Sequence, residues 1–306
     1  DLHLSLRRQR QMCIRDSTMT VVPILGAGSS MADYRIGFKW WALIIAVVFV
    51  ISELVCVACV PERPVACDEK PGKISDMFKA LFKNDQAMTV VVSIILVYTS
   101  LNICGNLVLY FFRFDVGNEG AYSIFAAVAF AAQVLVMMVI PLLRKRFSKS
   151  QLFISGFIIQ IAGFAVILIM AFAKLYTPQS WYILCLPGIL IYLGYGMLNV
   201  IMTIFLSDSV DYGEVMNGTR EESVIFSMQT FTVKLASGVA VFLAGLVVDW
   251  IHLDTAAAVQ TQDTLDALRM WMTIPSVILL IVGIFVFKRF YKLDDTRMEE
   301  IKSKLN

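Results

Sequence analysis

A chain of 306 residues that is 58% hydrophobic and only 16% charged is too apolar for an ordinary soluble domain, where apolar usage is about 45–50%. Its charges bunch between long apolar runs, the layout of an all-α, polytopic transmembrane bundle. The net charge of +2 does not point to nucleic acid, because the basic residues lie in short segments beside apolar spans. The six cysteines form no disulfide framework.

Residues 1–18, DLHLSLRRQRQMCIRDST, are basic and aperiodic and lack a signal-peptide layout. They read as a non-native, artefactual tail joined to a truncated reading frame; a native basic tail is the competing reading. Residues 19–32 are apolar but, at 1.5 Å per residue, too short to cross a ~30 Å hydrocarbon core. They read as the end of a helix whose start is missing, followed by a polar turn over 33–39. The first full span is 40–60, with Trp40 and Trp41 as interfacial anchors and Glu53 in a structural role, a cation site being the competing reading. Cys56 and Cys59 make a CxxC within this run and read as packing residues.

Residues 61–86 are a polar linker. Ile74, Met77, Phe78, Leu81 and Phe82 recur at helical spacing among lysines, which predicts an amphipathic helix on the membrane surface. Six more spans follow, at about 87–112, 121–143, 152–173, 181–206, 223–250 and 268–290, and form a C-terminal bundle over 87–290. An acidic loop is expected at 207–222, a polar segment at 251–267 and a tail at 291–306.

Lysine and arginine distribute unevenly between the two sides. One side collects Arg63, Lys70, Lys73, Lys79, Lys83, Arg144, Lys145, Arg146, Lys149, Arg220 and the basic C-terminus. The other has only Arg35, Lys39, Arg113, Lys174 and Arg269. By the positive-inside rule the linker, the acidic loop and the C-terminus face the cytoplasm of a multi-pass inner (plasma) membrane protein.

Polar side chains within the spans fall on stripes. Tyr98, Asn102 and Asn106 share one helix face, as do Tyr192, Tyr195, Asn199 and Thr203 on a second helix. On a third, Ser223, Ser227, Thr230 and Lys234 share a face with Gln229 at its edge. Three helices with one wet face each indicate a shared aqueous cavity. Hydroxyl, amide and phenol groups suit a polyol ligand: paired donors and acceptors with an aromatic face for a sugar ring. For a single Ser or Thr, interhelical hydrogen bonding at about 0.6 kcal/mol is account enough. Lys234 is different, because a lysine at the centre of a span costs ~2.5–3.5 kcal/mol on insertion scales and calls for a polar partner or a wet path.

Gln133 and Gln160 stand alone in their spans, and Gly156 and Gly163 read as helix-packing positions. His3 and His252 offer no metal site. No HExxH, GxSxG or phosphate-binding glycine loop is present, so a membrane enzyme has no visible nucleophile–base or metal-ligand set.

SDSVDYGE at 207–214, then REES with Phe226 and Ser227, then QTFTVK at 229–234, resembles the glycoside–pentoside–hexuronide:cation symporter family, the melibiose-permease-like branch of the major facilitator superfamily. PERP in the linker and PLLRKRFSKSQLF at 141–153 resemble that family's central loop and its counterpart. The resemblance implies a secondary active transporter carrying a glycoside or related sugar with Na⁺ or H⁺, no other cofactor, and no enzymatic activity. It implies about seven spans, helices six to twelve of a twelve-helix parent, with most of the cation site on absent helices. Lys234, Gln229, Thr230 and Val233 match the family's cavity helix. Asp208, Asp211, Arg220 and Glu222 match charged residues of a gating loop, for which Arg144, Lys145 or Arg146, or basic residues on the other half of the parent, would supply partners. The same fold carrying a non-sugar solute such as a lysolipid, or a non-transporting truncated membrane protein, stays open as the alternative.

Overall fold

The computed structural model describes residues 31–59, 83–218, 222–255, 257, 259–293 and 295–305. The basic tail at 1–18, residues 19–30, the surface helix predicted in the linker and Arg220 lie outside the described residues. Among those described, all regular structure is helical. The chain divides into two units, Asp1–Pro71 and Gly72–Asn306.

The first unit contributes α1, Met31–Cys59, which contains most of the span expected over 40–60. The stretch 33–39, expected as a polar turn, is its first two turns: no proline interrupts it, and a helix leaving an apolar core keeps its backbone satisfied by continuing.

The second unit contains α2 (Asp85–Tyr110), α3 (Ala121–Leu143), α4 (Lys149–Phe172), α5 (Cys185–Asn217), α6 (Glu222–Trp250), α7 (Gln262–Phe290) and a short α8 (Asp295–Leu305). The first six of these are long and apolar enough to cross a membrane. α5 is covered by α3 and α4, and α2 packs on α6 and α7.

Local sequence sets the helix ends. Ser148 and Gln151 form a capping box: Ser148 Oγ accepts from Gln151 N at 3.2 Å, and Gln151 Oε1 accepts from Ser148 N at 3.0 Å. α4 therefore begins at Lys149, three residues ahead of the expected boundary. The acidic stretch expected as a loop is mostly helix, a correction with a clear cause. Nothing between Leu206 and Asn217 breaks the helix, and it stops only where Gly218 takes φ 72° and donates to Glu214 O at 2.9 Å. α7 likewise starts six residues early, capped by Thr261. At the far end of α2 the backbone widens into a π-turn, Phe111–Asp115.

Two kinds of contact stitch the bundle. Buried Ser100 and Ser276 exchange hydrogen bonds with each other's carbonyls, at 3.1 and 2.8 Å, and so tie α2 to α7. α4 and α5 cross on glycine, as Gly156 and Gly163 predict. A Cβ at Gly194 would lie 2.6 Å from Gly156 O and 2.7 Å from Gln160 N. Those neighbours are backbone and cannot step aside. Gly194→Ala is expected to lower stability by about 1–3 kcal/mol, read as the thermal unfolding midpoint in detergent; an unchanged midpoint contradicts this crossing.

Candidate functional site

The polar stripes of α2, α5 and α6 meet in one seam. Asn199 Nδ2 donates to Tyr98 Oη at 2.6 Å, and the Tyr98 and Tyr195 rings meet edge-on at 5.5 Å. Thr203 donates to Asn199 O at 3.1 Å and accepts from Gln229 Nε2 at 3.5 Å. Along α2, Asn102 donates to Tyr98 O and Asn106 to Asn102 O, each at 2.7 Å. The asparagines thus anchor to their own helix rather than across to another. Thr230 is exposed and donates to Phe226 O, and Val233 is half-buried against the core. Gln160 is fully buried within α4, with neither amide atom partnered among the described residues.

Lys234 lies on the exposed face of α6, one turn beyond Thr230. Among the described residues no acid pairs with it. Its side chain is long enough to carry the ammonium along the seam.

At the lysine- and arginine-rich end, Asp208 is buried on α5 and does not meet Arg144, Lys145 or Arg146 as expected. Its partner is Lys149, the first residue of α4, with Nζ 2.5 Å from Oδ2. Lys149 and Asp208 are only 7% and 5% exposed, so each charge depends on the other. The capping box makes this lysine the first residue of α4, the end of the helix where Asp208 lies. Arg144 reaches Asp295 of α8 at 3.5 Å, and Lys149 reaches the same carboxylate at 3.5 Å. α8 is seated by Leu293, Met298 and Ile301 against Tyr212, Val215 and Tyr291. Burial, with the charges of Asp208 and Asp295 nearby, pushes the Tyr291 phenol well above its ordinary pKa. Asp211 is half-buried and engaged, and Glu222 is exposed and engaged.

Asn84 supports the same end. Its side chain caps α2 by accepting from Ala87 N at 3.0 Å and donates to Ser209 O of α5 at 2.8 Å. Asn84, inside the stretch expected as linker, thus ties the start of α2 to the turn that carries Asp208.

The opposite end holds a cluster that sequence reasoning missed. Arg269 grips Asp115 with two hydrogen bonds, Nε to Oδ2 at 2.8 Å and Nη2 to Oδ1 at 2.5 Å. It also donates to Asp266 at 2.6 Å, and its guanidinium lies 5.8 Å from the Phe172 ring. Tyr176 donates to Asp115 Oδ2 at 2.5 Å. Burial first, and then this carboxylate, pushes the Tyr176 phenol well above its ordinary pKa. The Arg269 and Asp115 side chains are 3% and 4% exposed. Asp115 falls beyond the end of a predicted span, where a carboxylate is expected in solvent; the structure makes it the last residue of the π-turn, with its side chain buried against Arg269.

The fold and this arrangement define a polytopic membrane protein with a continuous polar seam crossing three helices of one bundle. The chain belongs to the MFS/sugar transport protein family, whose model matches residues 5–295. That match also takes in residues 5–18, which composition sets apart. Similar proteins include the uncharacterized symporter YjmB of Bacillus subtilis, 24% identical over 95% of this chain and 61% of that protein. The raffinose carrier protein of Pediococcus pentosaceus is 24% identical over 90% of this chain and 43% of the carrier. The isoprimeverose transporter of Lactiplantibacillus pentosus is 25% identical over 90% and 56%. The chain thus spans about half the length of these curated relatives.

Proposed function

We propose that the whole protein is a secondary active transporter that moves a glycoside or related sugar together with Na⁺ or H⁺ by alternating access. The observation that carries the reading is the seam Gln229–Thr203–Asn199–Tyr98, which lines up amide, hydroxyl and phenol groups across three helices, with Lys234 five residues on from Gln229 along α6. Relatives named for raffinose, isoprimeverose and lactose support a sugar as the solute. Lys234, Gln229, Thr230 and Val233, with Tyr98, Asn102, Tyr195 and Asn199, form this chain's share of the cavity wall. The ammonium of Lys234 links solute and cation occupancy, because a bound cation changes the charge it faces.

Asp208, Asp211, Arg220, Glu222 and Arg144 belong to the gate. The pair Lys149–Asp208 and the bridge through Asp295 keep these charges neutralised in one arrangement, and their exchange for other partners accompanies opening. The lysine- and arginine-rich end faces the cytoplasm of the inner (plasma) membrane.

The test is uptake of labelled raffinose, lactose and isoprimeverose into membrane vesicles containing the whole protein, under an imposed Na⁺ or H⁺ gradient. Accumulation of one sugar above the external level, driven by one cation and abolished when its gradient is collapsed, is expected. Equilibration without accumulation, or no uptake of any sugar, contradicts the proposal.

A further inference from the structure

Beside the seam, α2 and α3 enclose a small niche closed behind by α4 and α5. Its walls include Cys104, Gly105, Phe125, Ala126, Ile191 and Tyr192. It holds about 20 Å³ of free space, room for one water-sized group. The lining is apolar apart from tyrosine, so a water there would find few hydrogen-bond partners, whereas a methyl group would gain by leaving water.

Two residues join the niche to the seam. Gly105 lies seven positions beyond Tyr98, on the face that carries Asn102 and Asn106. A Cβ added at Gly105 would meet nothing within 4 Å, so the missing side chain is what leaves this wall open. Tyr192 belongs to the polar stripe of α5 and also lines the niche. The Tyr192 ring meets Tyr195 of the seam at 6.5 Å, so the apolar recess follows the polar groups about two turns further along the same helices, and a solute held at the seam can extend into it.

We propose that this niche is a subsite for a methyl-sized apolar group on the transported sugar, either the terminal methyl of a 6-deoxyhexose or the methyl of a methyl glycoside. This rests on the sugar-transport reading above. Gly105 is then a specificity-determining residue: it contributes space rather than contact.

The test compares uptake by the whole protein within sugar pairs that differ by this one group. D-Galactose is paired with D-fucose and with methyl galactoside, and D-glucose with 6-deoxy-D-glucose and methyl glucoside. Burying one methyl gives an expected preference of about four-fold for the methyl-bearing sugar, and the arm that shows it identifies which methyl is bound. Gly105→Ala places a methyl in the niche and should level the preference to about one-fold. Alanine also suits a helix better than glycine, so folding is not put at risk. Ala126→Val fills the niche from the facing helix and should do the same. Ala131→Val, on the exposed face of α3, should keep the wild-type preference. Uptake without any methyl preference in the wild type, or a preference that survives both Gly105→Ala and Ala126→Val, overturns the niche alone. Absence of uptake of all these sugars overturns the niche alone where raffinose, lactose or isoprimeverose is still accumulated, and overturns the transport reading with it where none of those is taken up either.

Discussion

Lys234→Ala lowers sugar accumulation by the whole protein about 10- to 100-fold, the scale of one lost hydrogen bond from a charged group to solute or partner. The amount of protein in the membrane is unchanged or higher. A lysine at mid-span costs ~2.5–3.5 kcal/mol on insertion scales, so alanine eases insertion and cannot reduce uptake by blocking it. Lys234 pairs with no acid among the described residues and sits one turn beyond Thr230 on the open face of α6. Its charge is available to a solute or to a partner across the cavity. Lys234→Arg keeps the charge but replaces a compact ammonium with a planar fork, so it should restore only part of the activity. The measurement is initial uptake and steady-state accumulation, each normalised to inserted protein. Accumulation at the wild-type level by Lys234→Ala would remove this residue from the mechanism.

Arg269→Met costs about 3–5 kcal/mol of stability, because it leaves the Asp115 carboxylate buried without its partner. Asp115 accepts two hydrogen bonds from Arg269 and one from Tyr176. Through it the end of α2, the start of α7 and the α4–α5 connection are held together. The double change Arg269→Met with Asp115→Leu removes both charges and should recover much of the loss. The difference between the double change and the sum of the single ones measures the coupling. Thermal unfolding of the purified protein in detergent reads both: the single variant should fall by about 10 °C or more, and the double variant by clearly less. A single variant that unfolds with the wild type would show that water reaches Asp115 and that the ends of these helices are held by other contacts.

Most of the helices were legible because an apolar run of twenty or more residues has few alternatives to a membrane-crossing helix. The stripes were legible too, since spacing along one helix fixes which residues share a face. Misreadings fell where charge was taken to mean solvent. The acidic stretch after Leu206 reads as a loop by composition, yet it continues α5 to Gly218 and buries Asp208. Asp115 and Arg269 read as two unrelated residues near span ends and form a buried bidentate pair. The stretch 291–306 is expected as a tail, yet Leu293, Met298 and Ile301 seat a helix against Tyr212 and Val215.

Composition and spacing within single helices were enough for the class of fold, the membrane-crossing segments, the three polar faces and the mid-span position of Lys234. That Asn199 meets Tyr98, that Asp208 takes Lys149 and Arg144 takes Asp295, and that Gly105 lines a niche between α2 and α3 came from the packing. Those are contacts between helices far apart in the chain. Periodicity says which side of a helix a residue occupies, but only the packing of one helix on another says what it will find there.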